Sequence, residues 1–276
     1  MFSVPFVAGS EILMYTNIIT EIDLGVGIIT LNRPDRHNAF DDAAIAELSD
    51  AIDKMAADPG VRVLVISSSG KSFCAGADLN WMKRAAGYSS DENLRDSRAL
   101  AEMLRRLAQC PKPTIARIQG PAYGGGVGLI ACCDVAIATF DAQFALTEVK
   151  LGIIPSVISP HVIAAIGERY ARRYMLTAER FSAAEAYRIG LLHEMVSDNA
   201  ALDEAVGEIV DALLNNGPGA LAECKALLEA VAWKPLSPEV IEDTAQRITR
   251  VRASDEGREG MSAFLEKRKP NWIARD

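Results

Sequence analysis

An α/β fold with a largely parallel sheet, followed by a separate helical region, is what three features of this sequence predict. Val61–Ser67, VRVLVIS, is apolar nearly throughout, the pattern of a strand covered on both faces. Two glycine-rich turns, Ser72–Asp78 (SFCAGAD) and Pro121–Ile130 (PAYGGGVGLI), each come shortly after a strand-like run. Ligand contacts in crossover folds gather at such turns. From Ser159 onward the pattern is helical almost to the end.

Taken in order, Asn17–Leu31 alternates apolar and polar residues on either side of a turn near Asp23–Gly25, which predicts a hairpin. The chain leaves that sheet through Pro34. Asp41 or Asp42 can cap a helix whose Ile45, Leu48, Ile52 and Met55 share one face, and Asp58-Pro59-Gly60 ends it. After the first glycine turn a polar stretch runs to Ser90, and a helix is expected around Ser97–Gln109 with Leu100, Met103, Leu104 and Leu107 aligned. Strands are predicted at Thr114–Ile118, Asp134–Ala138 and Phe144–Glu148. In the helical part, Ser182–Glu185 reads as a capping box and Ser237-Pro238 as an N-cap with proline at the first helical position. Met261, Phe264 and Leu265 lie on the last helix, before Pro270. The expected division is an N-terminal tail over 1–16, a core over 17–200 and a helical region over 201–276 that folds over the core or packs on a neighbouring subunit.

Composition narrows the function classes. With 49% hydrophobic and 24% charged residues the chain can form an ordinary globular core. A net charge of −8 argues against a general nucleic-acid binder, because phosphate neutralisation needs concentrated Lys and Arg. No apolar run is long enough to cross a bilayer. The opening residues lack the basic and apolar regions of a secretory signal, so a cytoplasmic location is expected and Met14 is a candidate start. Cys74, Cys110, Cys132, Cys133 and Cys224 are odd in number without CxxC spacing, which suits reduced thiols. His37, His161 and His193 lack metal-ligand spacing, so no metal site is expected.

The chemistry concentrates at the two glycine turns. Three consecutive glycines, Gly124–Gly126, let a ligand approach the main chain, and the first amides of the helix they open have no intrahelical partner. The helix dipole behind those amides favours negative charge. Two converging backbone donors would make an oxyanion hole, in which one donor is typically worth about 2.7–4 kcal/mol of transition-state stabilisation. Glu148, in ALTEVKLGIIPS, follows a short strand among apolar neighbours that could raise its pKa and make it the proton shuttle. A helix cap or an ion pair with Lys150 accounts for it equally well on spacing alone. The segment GGGVG matches neither a dinucleotide-binding nor a Walker A pattern, and no G-x-S-x-G elbow occurs.

From Ile18 to Ile273 the chain resembles the crotonase superfamily, the enoyl-CoA hydratase/isomerase family. The resemblance rests on LNRPDRHNAF, SFCAGADLNWM, PKPTIARIQGPAYGGGVGLIACCDVAIA, AQFALTEVKLGIIPS, LTAERFSAAEAYRIGLLHEMV and EGMSAFLEKRKPNW, in that order. It implies a crotonase-like spiral of repeated ββα units with a C-terminal α-helical trimerisation region, assembled as trimers or dimers of trimers. It also implies an acyl-CoA thioester substrate, with coenzyme A belonging to the substrate and no separate cofactor. Carried over by position, the Ala77 and Gly125 amides form the oxyanion hole and Glu148 is the catalytic acid or base. Ala75 and Asp78 would contact adenine through their backbones, Gly124 and Gly128 would lie beside the substrate, and Phe264 and Lys267 would reach coenzyme A, often from a neighbouring subunit.

One position departs from the family pattern. Hydratases of the family carry two glutamates, and the place of the first is held here by Gly128. Either Glu148 alone activates water, or it moves a proton between carbons as in single-glutamate isomerases; a non-catalytic acyl-CoA binder is the third reading. The runs ADLNWMKR, ENLRDSRALAEMLRRLA, GGGVGLIACCD and EVKLGIIPSVISP are similar to bacterial methylglutaconyl-CoA hydratases and relatives acting on branched glutaconyl-CoA esters in leucine and acyclic-terpene breakdown. That resemblance favours hydration of an ester with a free carboxylate, for which Lys83, Arg84 and Lys150 are unranked partners.

Overall fold

The computed structural model describes residues 15–273, so the tail before Met14 and the question of the start lie outside the described residues. Strands β1 (Ile18–Asp23) and β2 (Val26–Leu31) form the predicted hairpin, turning through Leu24 and Gly25, both at positive φ (+45° and +88°). Two such residues suit the right-handed twist of the strands they join. Helix α1 (Asp42–Ala57) follows. Asp41 is its cap, accepting the Ala44 N–H, and Ile45, Leu48, Ile52 and Met55 are buried as their spacing required.

Strand β3 (Val63–Ser68) explains its own apolarity. Leu64 and Ile66 point into the main core, whereas Val63 and Val65 join Ile115, Ile137 and Val196 in a second cluster on the opposite face. The polar stretch after the first glycine turn contains a helix that periodicity did not reveal, α2 (Leu79–Ala85), capped by the Asp78 carboxylate. Helix α3 (Ser90–Ala108) begins seven residues earlier than expected. Its start is a capping box between Ser89 and Glu92, a local signal in a first turn that carries no apolar stripe.

Then come β4 (Thr114–Ile118), β5 (Ala122–Tyr123), α4 (Gly125–Ala131), β6 (Val135–Thr139) and β7 (Gln143–Ala145). Glu148 lies beyond β7, on a single 3₁₀ turn over Glu148–Leu151, so the strand predicted to reach it ends three residues short. After α5 (Ser159–Thr177) the chain is not purely helical. Short strands β8 (Phe181–Ser182) and β9 (Glu194–Val196) flank α6 (Ala183–Arg188), and each is too short to show alternation. Ser182 does accept the Glu185 N–H, but the Glu185 carboxylate turns to Tyr174 and Arg188 instead of closing the box.

Two sheets result. The larger has the order β1-β2-β3-β4-β6-β9, antiparallel only between β1 and β2; the smaller, β5-β7-β8, carries the second glycine turn. Helix α7 (Asn199–Leu214) buries Leu202, Ala205 and Val206 on the back of the larger sheet, so the helix that spans residue 200 completes the core. Helices α8 (Pro218–Val231), α9 (Pro238–Ala253) and α10 (Asp255–Leu265) pack on one another. The Arg62 guanidinium ties this region down, donating to the Leu214, Asn216 and Trp272 carbonyls, as does the Lys225–Asp134 ion pair at 2.5 Å. Among the described residues no helix is long and apolar enough to cross a membrane.

Candidate active site

The loop after β2 builds a frame for the first glycine turn. His37 and Asn38 take left-handed φ angles of +50° and +55°, which folds the loop back on itself. Buried Asn38 then donates from Nδ2 to the Ser69 and Ser72 carbonyls, each at 2.8 Å. Phe40 completes the frame: its N–H donates to the Gly76 carbonyl and its carbonyl accepts the Asp78 N–H, both at 2.7 Å. These bonds make Phe40 and Ala77 the partners of a parallel bridge. In such a bridge the bonded groups belong to the residues flanking Ala77, so the Ala77 N–H points away from Phe40.

The second turn is clamped against the first. Cys74 and Ala122 form a parallel bridge in which the Tyr123 N–H donates to the Cys74 carbonyl at 2.8 Å. Gly76, at φ +87°, must be glycine for two reasons. Its conformation is one that side chains disfavour, and a Cβ there would lie 2.9 Å from the Tyr123 carbonyl and 3.7 Å from the Gly125 nitrogen. Gly76, the residue before Ala77, therefore turns its bare face toward the Tyr123 carbonyl and the Gly125 nitrogen. Gly125 is the first residue of α4, whose opening N–H groups have no intrahelical acceptor. Among the described residues neither the Ala77 nor the Gly125 N–H takes part in the backbone bonds that tie these turns together. Ala77 is exposed and Gly125 half-buried, so both donors are reachable.

Glu148 comes to the same place. A Cβ on Gly124 would lie 2.9 Å from Glu148 Oε1, so the carboxyl rests on the bare backbone that opens α4. Its other oxygen, Oε2, is buried without a hydrogen-bond partner. Burial pushes its pKa above the ordinary carboxylate value, a shift its own backbone N–H only partly opposes. Thr147, not Glu148, is the residue before the 3₁₀ turn, and no ion pair joins Glu148 to Lys150 among the described residues. Desolvated and unpaired, the group can exchange a proton with a molecule held at the two turns.

Other expected site residues sit differently. Asp78 is 4% exposed and fully engaged: its carboxylate caps α2 and pairs with Arg36 at 2.9 Å and Arg33 at 3.3 Å. Burial alone would raise its pKa, but Arg36, the Trp81 and Asn80 amides and Arg33 together hold it below the usual value. Its N–H donates to the Phe40 carbonyl and its carbonyl accepts the Met82 N–H, so Asp78 braces the turn and only the second lone pair of that carbonyl is open to a ligand. The Ala75 N–H is likewise spent on the His37 carbonyl, which leaves its carbonyl for a ligand. Gly128 faces Ile158: a Cβ there would fall 2.7 Å from Ile158 Cβ and nearer still to Cγ2. Phe264, 82% exposed on α10, and Lys267 just after it belong to the α8–α10 group, whose helices pack on one another.

Two residues outside the sequence expectations belong to this region. Phe40, besides bracketing Ala77, lays its ring on Gly125, where an added Cβ would meet Cδ2 at 3.2 Å. One buried residue thus spaces both donors. Nothing in HNAF distinguishes it from any core phenylalanine. Phe40→Ala is expected to cost about 3–5 kcal/mol of stability and to lower kcat in the molecules that remain folded, read by chemical denaturation and steady-state kinetics. Arg180 is the second. It lies opposite Ala145, one residue beyond the β7–β8 ladder, and its guanidinium covers the Tyr123 ring at 5.4 Å. Tyr123 and Ala145 are themselves register partners, so the cation closes a row that leads to Gly124. Among the described residues Arg180 has no ion pair, whereas Arg84 is bound to Asp42 at 2.5 Å.

Comparison with known proteins identifies the family and the fold. Residues 21–275 match the family model described as enoyl-CoA hydratase/isomerase. The chain is 34% identical to the crotonyl-CoA hydratase of Syntrophomonas wolfei, over 95% of its own length and 100% of that protein. It is 32% identical to the 2,3-dehydroadipyl-CoA hydratase of Escherichia coli, over 90% and 95% of the two chains. A crystal structure of an enoyl-CoA hydratase from Shewanella pealeana superposes with a TM-score of 0.91 at 44% identity, covering 93% of this chain and 96% of that one.

Proposed function

Because this chain belongs to the enoyl-CoA hydratase/isomerase family, we propose that it is a hydro-lyase adding water to an α,β-unsaturated acyl-CoA, specifically a 3-methylglutaconyl-CoA or related branched glutaconyl-CoA ester. The observation that carries this reading is the unpaired Glu148 carboxyl, its Oε2 buried, resting on the glycine turn toward which Gly76 faces. The thioester oxygen would accept the Ala77 and Gly125 N–H groups. Glu148 takes a proton from water while the hydroxyl adds to the β-carbon, and negative charge collects on the thioester oxygen between the two donors. The same carboxyl then returns that proton to the α-carbon. Hydroxyl and hydrogen arrive on one face, and no further cofactor enters.

The branched glutaconyl class brings a free carboxylate. One relative is named for 2,3-dehydroadipyl-CoA, also the thioester of a dicarboxylic acid. With Arg84 committed to Asp42, the remaining cations are Lys83, Lys150 and Arg180, and Arg180 stands on the row that leads to Gly124. Arg180→Met is expected to raise KM for a glutaconyl ester by a larger factor than for crotonyl-CoA. Equal effects on both substrates would remove Arg180 from carboxylate recognition.

Isomerisation is the second reading, favoured by the single acid at the site and by the family's own name. A panel of 2-enoyl and 3-enoyl thioesters, followed by absorbance of the conjugated thioester, separates the possibilities. Hydration consumes the conjugated ester, isomerisation creates it, and a binding protein does neither. Exposed Phe264, Leu265 and Trp233 support assembly as a homotrimer or dimer of trimers, in which Phe264 and Lys267 would reach coenzyme A. We place the enzyme in the cytoplasm, with no membrane or nucleic-acid partner.

A further inference from the structure

Gly124, which precedes α4, and Gly128 within it are two bare positions. Gly128 donates to the Gly124 carbonyl at 3.2 Å, so it lies one helical turn, about 5.4 Å, below Gly124. Each position is covered by a group from the segment after β7: the Glu148 carboxyl over Gly124 and the Ile158 side chain over Gly128. Ile158 is 3% exposed and directly precedes α5, whose body packs against α4. A side chain of any size at residue 128 would have to occupy the volume that Ile158 fills.

We propose that Ile158 is a positioning residue for the proton-transfer site: seated on Gly128, it closes the place beside Glu148 to a second carboxylate and to water, so that one acid works alone against an apolar wall. This rests on the reading of Glu148 as the proton shuttle. Burial is the leading cause of the upward shift at Glu148, and no charged side chain figures among its causes. The titratable and charged groups on the elements around it are Lys150, exposed on its own turn, His161 on the first turn of α5, whose pKa burial lowers, and Tyr123 on β5 with the Arg180 guanidinium over its ring; α4 carries none. None of these is paired with Glu148 among the described residues, and the group that fills the position one turn away is the apolar Ile158 side chain.

The consequence for the chemistry is specific. A site with two acids can divide proton removal from proton return, whereas here both must pass through Glu148. A proton taken from water, or from a carbon in the isomerase reading, is the one handed back. That favours retention of a transferred proton and delivery to a single face.

The test uses the full chain and reads Glu148 directly. The carboxyl stretch of Glu148, assigned by its absence in Glu148→Gln, is followed by infrared spectroscopy against pH in the wild type, Ile158→Val and Ile158→Thr. The two variants match in size and differ in polarity. Ile158→Val is expected to keep the wild-type titration, and Ile158→Thr to move it to lower pH; the acid limb of kcat/KM should move with it. Identical titrations for Val and Thr would overturn the proposal. A second measurement concerns the closed volume. Gly128→Glu alone is expected to lose the cooperative melt, and Gly128→Glu with Ile158→Gly to recover it; a single variant as stable as the wild type would also overturn the proposal. If no enoyl thioester is turned over, the infrared titration still reports on Ile158, so failure of the hydratase reading is distinguishable from failure of this one.

Discussion

Replacing Glu148 with glutamine is expected to lower kcat by about 10²–10⁴-fold while leaving acyl-CoA binding nearly intact, because the amide keeps the shape and loses the transferable proton. The same substitution should not destabilise the fold. Burial raises the folded-state pKa of Glu148 above its ordinary value of 4.5, so between those two values the folded protein binds more protons than the unfolded chain. Stability linked to this group is then present below the ordinary value and declines as pH rises through the raised one. Glutamine has no such ionisation. At pH 8 the variant should melt at the same temperature as the wild type or higher, and any advantage should vanish at pH 4. Thermal melts at both values, beside steady-state kinetics, check the pair of effects. A variant retaining most of its activity, or one that melts lower at pH 8, would remove Glu148 from the role of buried shuttle.

The second large effect concerns the Gly125 amide. Gly125→Pro deletes one donor and is expected to reduce kcat/KM by about 10²–10³-fold, equivalent to about 2.7–4 kcal/mol at the transition state. The position suits the experiment. Gly125 is the first residue of α4, where proline is tolerated because its missing N–H has no helical partner. The control is Gly125→Ala, which retains the N–H and brings its added carbon within 3.2 Å of the same Phe40 ring. Proline should be far worse than alanine in catalysis and close to it in melting temperature. Equal catalytic losses would mean that crowding against Phe40, and not the donor, is responsible.

Much of the fold could be read from local pattern. The hairpin, α1 with its buried Ile45, Leu48, Ile52 and Met55, and strand Thr114–Ile118 all appear where periodicity put them, since each buries one face or two against a continuous core. The elements that escaped were short or polar. Helix α2 has one buried side chain, Trp81, and β8 has two residues, so neither repeats long enough to show a period. The early start of α3 was legible in the Ser89–Glu92 capping box, which needs no apolar stripe.

At the site the division is sharper. Glycines in two turns and a glutamate among apolar neighbours are properties of the chain, and they were enough to nominate the two turns and Glu148; Ala77 and Gly125 as the particular donors came from the family resemblance. That the turns touch depends on the Cys74–Ala122 bridge and on Phe40, contacts between segments tens of residues apart that no local signal encodes. The engagement of Asp78 with two arginines and the filling of Gly128 by Ile158 were equally invisible, because each is a statement about which distant side chain arrives first. Residue type and spacing settle what a stretch of backbone can do alone: cap, turn, alternate, expose an amide. Volume and charge are shared between stretches, so which groups remain free for chemistry emerges only when the packed chain has used up the rest.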